Sequence, residues 1–308
     1  MKALEINGGE IGGSALDVEH LIRLGNSFGG RHRQVLVGCW SDEPTARARA
    51  LALTAGLMSA GTKVLSGGSL PLPALTLLAR ESGTAAVCTI LPDGVRFQAE
   101  DPNWLVDFRG GIAHYELAPA GGSAGLKPMS GYFRKLSQVV DVEAVRRKEF
   151  AVRVTAQGAA ESFVAQLLEK LNCRIVKTAE PCDAAFTLSR DATALRIADY
   201  GPEMTIRMIF EHILEAYPGD TVLCGSDILT EEIIRGCGCE CFACSGGGGA
   251  ILDAMRIRGA GLGGDLDTGL IVWRKFQPAP DGILVLALTL EMLALSGQRL
   301  ADIAASLR

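Results

Sequence analysis

AVCTILPDGVRF, residues 86–97, decides how this chain is read. It opens as a short apolar run, passes through Pro92, Asp93 and Gly94, and returns to alternation at Val95–Phe97. That order predicts a buried strand, a tight turn and a second strand. In an open α/β sheet the loop leaving a strand's carboxyl end is where ligands bind. This loop is almost too short for chemistry. It holds no His, Ser or Lys, and its one carboxylate, Asp93, sits in a Pro-Asp-Gly turn that favours such a residue anyway.

Upstream, Gln34–Gly38 reads as a parallel strand, a continuous apolar run of the kind that two helix-covered faces select. Ala48, Leu51, Ala52, Ala55 and Met58 place a helix over Thr45–Ala60, and Lys63–Leu65 is a second strand that Gly67-Gly68 is expected to break. Pro71 and Pro73 open a helix running to Ser82, which leads into the strand 85–90. A Gly-rich opening (Gly8, Gly9, Gly12, Gly13) and a helical pattern at Val18, Leu21, Ile22 and Leu24 precede this βαβαβ unit.

Downstream the pattern weakens over Glu100–Gly125, and Tyr132–Val140 reads as a connecting helix. A second unit follows: strand Phe150–Thr155, helix Ala159–Leu171, strand Arg174–Val176, strand Ala184–Leu188. Only Lys177–Asp183 joins the last two, fewer than the ten to twelve residues a crossover helix needs, so this unit is abridged. The third unit reads as helix Thr205–Ala216, strand Thr221–Cys224, a helix capped by Ser226-Asp227 and strand Glu240–Phe242. Helix Ala250–Arg258, strands Gly261–Gly263 and Leu270–Trp273, a long apolar helix ended by Ser296-Gly297 and a short terminal one complete it. The expected fold class is α/β: three consecutive α/β domains with mixed sheets sandwiched by helices, at residues 1–135, 136–200 (abridged) and 201–308.

The totals exclude several function classes. At 308 residues the chain suits two or three domains, and 48% hydrophobic against 21% charged content describes a globular protein. A net charge of −5 with scattered Lys and Arg leaves no footprint for nucleic acid. No apolar run has the length of a membrane span, and MKALEINGGEIGG lacks the order of a secretory signal. Nine cysteines without such a signal point to a reducing cytoplasm.

Four stretches resemble the α-D-phosphohexomutase superfamily, the phosphoglucomutases, phosphomannomutases and phosphoglucosamine mutases. Residues 35–87, VLVGCWSDEPTARARALALTAGLMSAGTKVLSGGSLPLPALTLLARESGTAAV, are similar to its first domain, and YFRKLSQVVDVEAVRRKEF (132–150) to the crossing into its second. AMRIRGAGLGGDLDTGLIV (254–272) and DGILVLALTLEMLALSGQRLADI (281–303) are similar to its third. The resemblance implies repeated α/β domains around a cleft. It also implies an ancestry of enzymes that move a phosphoryl group on a sugar through a phosphoserine and Mg²⁺.

Each functional loop departs from that pattern. The opening loop, Gly9-Glu10-Ile11-Gly12-Gly13, has no Arg, and Gly38-Cys39-Trp40 stands where the family has Gly-Arg-Asp. The phosphoserine loop would lie between Thr89 and Asp93, where only Ile90, Leu91 and Pro92 are found. The metal loop reads Ser189-Arg190-Asp191-Ala192-Thr193-Ala194, so Asp191 is the one remnant of three Asp, beside a cation. The sugar-contacting loop is Gly264-Asp265-Leu266-Asp267-Thr268-Gly269, one residue longer with a shorter acid, and Ser245 replaces a Lys. The family's fourth domain has no counterpart before residue 308. A phosphoryl transferase needs a nucleophile, a clamp on the phosphoryl oxygens and positioning together.

The expectation is therefore a phosphohexomutase-like pseudoenzyme with no catalytic residues and no cofactor, Mg²⁺ included. It would act as a phosphosugar-binding, regulatory or interaction protein of the cytoplasm, with a protein partner or a second copy of itself and no nucleic-acid or membrane role. The rival is an enzyme of sugar-phosphate metabolism with a non-standard site. Candidate substrate contacts are Asp265, Asp267 and Thr268, which otherwise are turn-formers, and Gly247 and Gly248, whose backbone N–H groups precede a helix and otherwise belong to a linker-like loop. Cys237, Cys239, Cys241 and Cys244 are either thiolate ligands for Zn²⁺ or an Fe–S cluster, or small buried residues, with Cys239 and Cys241 on one face of a strand. Their spacing matches no standard motif, which favours burial. His20, His32, His114 and His212 are isolated and read as structural or surface residues, and Cys88, with no base beside it, as a buried thiol.

Overall fold

The computed structural model describes residues 5–7, 10–12, 16–99, 118, 121–126, 128–177 and 180–307. Among them are eleven helices and fifteen strands in three sheets. Gly8, Gly9, Gly13 and His114 lie outside the described residues. The chain divides into two compact units, residues 1–132 and 133–308.

The first unit is built on a seven-stranded mixed sheet of order β1-β2-β6-β5-β3-β4-β7. Its strands are β1 (Glu5–Asn7), β2 (Glu10–Gly12), β3 (Gln34–Cys39), β4 (Lys63–Ser69), β5 (Ala86–Ile90), β6 (Gly94–Ala99) and β7 (Ser123–Gly125). Helices α1 (Val18–Gly29), α2 (Pro44–Ser59) and α3 (Leu72–Glu81) accompany them. β5 and β6 form the expected hairpin, from Ala86↔Ala99 to Ile90↔Val95, and the Leu91 N–H donates to the Gly94 carbonyl at 2.9 Å. Three residues, Leu91–Asp93, make the whole connection, and Arg49 holds it through a 2.7 Å hydrogen bond from Nη1 to the Pro92 carbonyl.

Gly67-Gly68 does not end β4. The strand continues to Ser69 with a register shift, Val37↔Ser66 giving way to Gly38↔Gly68, so Gly67 is the extra residue of a bulge. Gly68 has φ +71°, and a Cβ on Gly67 would stand 3.0 Å from Leu75 of α3. Glycine lets the strand bend here without stopping.

α1 and α2 cross at two glycines. A Cβ on Gly25 would lie 2.4 Å from the Leu53 carbonyl oxygen, and one on Gly56 only 2.0 Å from that of Ile22. The backbones therefore approach closely, and both helices pack Leu21, Leu24, Phe28, Leu53 and Leu57 into one core with Cys88, Ile90 and Phe97. Cys88 is fully buried and burial pushes its thiol well above its ordinary pKa.

α4 (Pro128–Leu136), four residues earlier than the sequence pattern places it, leads into the second unit. There β8 (Ala151–Thr155), β9 (Arg174–Ile175), β10 (Ala184–Leu188) and β11 (Leu195–Ile197) form a sheet of order β11-β10-β8-β9, with α5 (Val142–Lys148) and α6 (Ala159–Lys170) beside it. The abridged crossover has a simple geometry. β9 pairs only with Ala151 and Val152, and β10 starts at Ala184↔Val152, so the chain need not run back along the strands. It has only to cross β8, about 10 Å, which eight residues span easily. Asp183 ties the crossing down: its carboxylate accepts the Ala151 N–H at 2.7 Å and its own N–H donates to the Ala151 carbonyl at 2.8 Å.

One face of this sheet is packed, through Val152, Phe186, Leu188, Leu195 and Ile197. The alternate residues Arg153, Ala185, Thr187, Arg196 and Ala198 are half-buried or exposed, so the opposite face is open.

The third sheet, β13-β12-β14-β15, comprises β12 (Thr221–Cys224), β13 (Cys241–Cys244), β14 (Leu262–Asp265) and β15 (Leu270–Trp273). Its helices are α7 (Pro202–Ala216), α8 (Ile228–Gly236), α9 (Gly248–Arg258), α10 (Gly282–Ser296) and α11 (Leu300–Ser306). α10 is buried at every residue from Gly282 to Ala294, capped by Asp281 at its start and by Gly297 at φ +65° at its end. His212 meets Glu291 of this helix at 2.9 Å, a structural pair, and Glu291 also accepts the Asp141 N–H. His20 likewise bonds Asp17, the cap of α1, and His32 stacks on Phe28 with ring centroids 4.4 Å apart. Among the described residues no single helix is long and apolar enough to cross a membrane.

Candidate functional site

β14 reads Leu-Gly-Gly-Asp, and its glycines set the site's depth. A Cβ on Gly263 would stand 2.5 Å from Met255 of α9, and one on Gly264 2.7 Å from Phe210 of α7. Both helices therefore sit close against the strand, and Asp265 at its end is only 4% exposed. In register, Asp265 is level with Cys224 and Cys224 with Cys244, so the carboxyl ends of three parallel strands are aligned. Ligands of α/β sheets bind at such ends.

A cleft of about 550 Å³ opens there. Asp265, Asp267, Thr268, Gly247 and Gly248 all line it. Residues that the sequence marks in two separate loops are thus brought together. The cleft's other wall is the turn between β10 and β11, including Ser189 and Thr193, and the Ala194↔Leu270 bridge joins the two sheets at this point.

Asp265 Oδ1 accepts the Asp267 N–H at 3.0 Å, while Oδ2 makes no protein hydrogen bond among the described residues. A carboxylate oxygen on the cleft wall with no protein donor is an acceptor for a hydroxyl or an amine. Asp267 and Thr268 are exposed on the turn that follows. Gly247 is the cap of α9 and no side chain caps that helix, so the first-turn N–H groups face the anion-favouring end of its dipole. α9 begins at Gly248, two residues before the sequence-based start, so Gly248-Gly249 belong to the helix and not to a linker.

Arg196 also lines the cleft, and the sequence motifs do not mark it. The signal was available in the alternation of β11: Leu195 and Ile197 are buried, which turns Arg196 to the open face beside Thr187, its register partner.

The remnant Asp191 does other work. Its Oδ1 accepts from Ser189 Oγ at 2.9 Å, Thr193 Oγ1 at 2.7 Å and the Thr193 N–H at 3.2 Å. This closes a turn in which Ala192 has φ +61° and its carbonyl accepts the Gly282 N–H at 2.9 Å. Mg²⁺ needs several hard oxygen ligands in near-octahedral array. One carboxylate already carrying three donors does not fit it. Among the described residues no three or more His, Cys, Asp or Glu side chains converge as metal ligands.

The cysteine cluster is dispersed by the fold. β13 spans Cys241–Cys244, not 240–242, so Cys239 and Cys241 do not share a strand face. Cys237 caps α8, and Cys239 is buried with its sulfur accepting the Gly219 N–H at 3.1 Å. Cys244 instead neighbours Cys224, whose thiol donates to the Gly246 carbonyl at 2.7 Å. Burial, then Cys224, pushes the Cys244 thiol up to about 11.

The phosphoglucomutase/phosphomannomutase α/β/α domain III family matches residues 208–308. No curated protein matches the chain in sequence. Among solved structures, a protein described as a putative phosphomannomutase from Thermus thermophilus superposes with a TM-score of 0.84 at 18% identity, over 100% of this chain and 84% of its own. A phosphoglucomutase/phosphomannomutase family protein from Burkholderia thailandensis gives 0.79 at 19% identity, over 97% and 78%. The N-acetylphosphoglucosamine mutase of Aspergillus fumigatus, in complex with GlcNAc-6P and magnesium, gives 0.57 at 14% identity, over 89% and 61%. The chain has the fold of these phosphohexomutase structures, and its residues 208–308 match the phosphoglucomutase/phosphomannomutase domain III model.

Proposed function

We propose that this chain is a non-catalytic phosphohexomutase-like protein that binds a phosphosugar in the cleft at Asp265. The observation that carries the reading is the buried, half-committed carboxylate of Asp265, converging with Gly247, Gly248 and Thr268 on one ligand-sized space. Asp265 and Asp267 supply acceptors for sugar hydroxyls. The first turn of α9 and the guanidinium of Arg196 supply the positive end for a phosphate. Two loops of the chain support the non-catalytic reading. The three-residue turn 91–93 offers no hydroxyl nucleophile, and Asp191 is engaged in its own turn.

The test is a thermal-shift titration with hexose phosphates, GlcNAc-6P among them, run beside a labelling experiment. At about ten times Kd a ligand that binds only the folded state raises Tm by roughly 2–4 °C. Asp265→Ala is expected to abolish the rise and Arg196→Gln to reduce it. Incubation with ³²P-labelled hexose 1,6-bisphosphate is expected to leave no label on the protein. A labelled residue that turns over when a hexose phosphate is added would restore the rival reading of an enzyme with a non-standard site.

A further inference from the structure

A cavity of about 720 Å³ lies in the second unit, away from the Asp265 cleft. It sits where β8 and β10 begin and β11 ends, against the junction of α10 and α11. Its floor is small because Ala184, Ala185 and Ala198 form it, and no crossover helix fills the space above Ala185 and Ala198.

The charges around it are unequally committed. Arg299 is paired with Asp302 through two hydrogen bonds of 3.0 Å, and Asp183 accepts the Ala151 N–H. Lys148 makes no ion pair among the described residues, and it stands at the end of α5 on the cavity wall. Arg153 is held in place by a 2.8 Å hydrogen bond from Nη2 to the Glu180 carbonyl, and its Nη1 makes no hydrogen bond among the described residues. Asp199, on the turn after β11, adopts a left-handed backbone (φ +69°) and lines the same space with Tyr200. Residues held in such conformations cluster at ligand sites.

We infer that this cavity is a second binding site, for a small molecule with an oxyanion head, phosphate or carboxylate. The head takes the Nη1 edge of the Arg153 guanidinium and the Lys148 ammonium, and Asp199 and Tyr200 take hydroxyl or amine groups on its body. The inference is independent of the phosphosugar reading, since no residue is shared between the two sites.

The experiment titrates wild type, Lys148→Gln, Arg153→Gln, Lys63→Gln and Arg196→Gln with sodium succinate and with inorganic phosphate, at ionic strength matched by NaCl, and follows Tm. At least one probe is expected to raise Tm by about 2–4 °C over chloride. The rise should be equal in wild type and Lys63→Gln, an exposed position in the first unit, and at least halved in Lys148→Gln and Arg153→Gln. The larger of the two responses identifies the head group. Lys148 is exposed, so its variant folds and keeps the test valid should Arg153→Gln not. No rise above chloride, a rise unchanged in Lys148→Gln, or one lost only in Arg196→Gln would each overturn the site.

Discussion

Arg207 is 9% exposed and meets Asp227 with two hydrogen bonds of 2.8 Å, from Nε and Nη2. The same carboxylate caps α8 by accepting the Thr230 N–H at 3.0 Å. Burial alone would raise the Asp227 carboxyl, but Arg207 and Thr230 together hold it below its ordinary value of 3.8. Removing one member of a buried pair leaves the other charge uncompensated, so Arg207→Ala is expected to cost about 3 kcal/mol. Asp227→Ala also removes the cap, worth a further ~1 kcal/mol, whereas Asp227→Asn keeps the cap and loses only the charge. Because the folded pKa is the lower one, the carboxylate's contribution is complete above the unfolded value and is lost as pH falls through the folded value. Urea denaturation of wild type and Asp227→Asn should therefore give a stability gap that is full at about pH 6 and narrows towards about pH 3. A gap that stays constant over that range would refute the assignment.

At the scale of elements, the crossing of α1 and α2 depends on two missing side chains. Gly→Ala in an exposed helix adds about 1 kcal/mol of helix propensity, but Gly56→Ala drives a Cβ to 2.0 Å from the Ile22 carbonyl oxygen, and only movement of a whole helix relieves that. Overpacking of this kind costs about 1–3 kcal/mol or more, so it outweighs propensity and Gly56→Ala is expected to destabilise by about 2 kcal/mol. Gly236→Ala is the control. It lies in α8 with nothing within 4 Å of the new Cβ, and the same substitution there should be neutral or stabilising in a denaturant titration. These glycines also mark where sequence reading ran short. Apolar periodicity placed α1, and an unbroken apolar run placed α10, which is buried all round. The stripe at Ala48, Leu51, Ala55 and Met58 placed α2 but not its inward face, which is Ala52, Leu53, Gly56 and Leu57. Gly67-Gly68 looked like a strand end because a bulge and a stop use the same residue, and only the partner strand tells them apart. Helix α9 looked shorter because Gly248 and Gly249 have poor propensity, while packing of Ile251 and Met255 against β14 pins the helix start.

For the whole molecule, the site was legible where its residues sit in turn motifs and illegible where tertiary structure supplied them. Asp265, Asp267 and Thr268 stand in one Gly-bounded loop, and Gly247-Gly248 before a helix, so local spacing marks both. Arg196 and Arg153 stand alone in short strands, and they acquire meaning only because the crossover between β9 and β10 leaves one sheet face open. That organisation has a consequence for unfolding. Residues 1–132 and 133–308 are separately compact, the first around the α1–α2 core and the second around α10 and the sheets that flank it. Units with their own cores unfold as separate cooperative steps when their stabilities differ. Urea titration followed by far-ultraviolet circular dichroism and by hydrogen exchange is expected to resolve two transitions. Gly56→Ala should move only the one that reports residues 1–132, and Arg207→Ala only the one that reports 133–308, each by the loss argued above. A single transition that both variants shift equally would mean the two units fold as one, and the separation of their cores would have no energetic meaning.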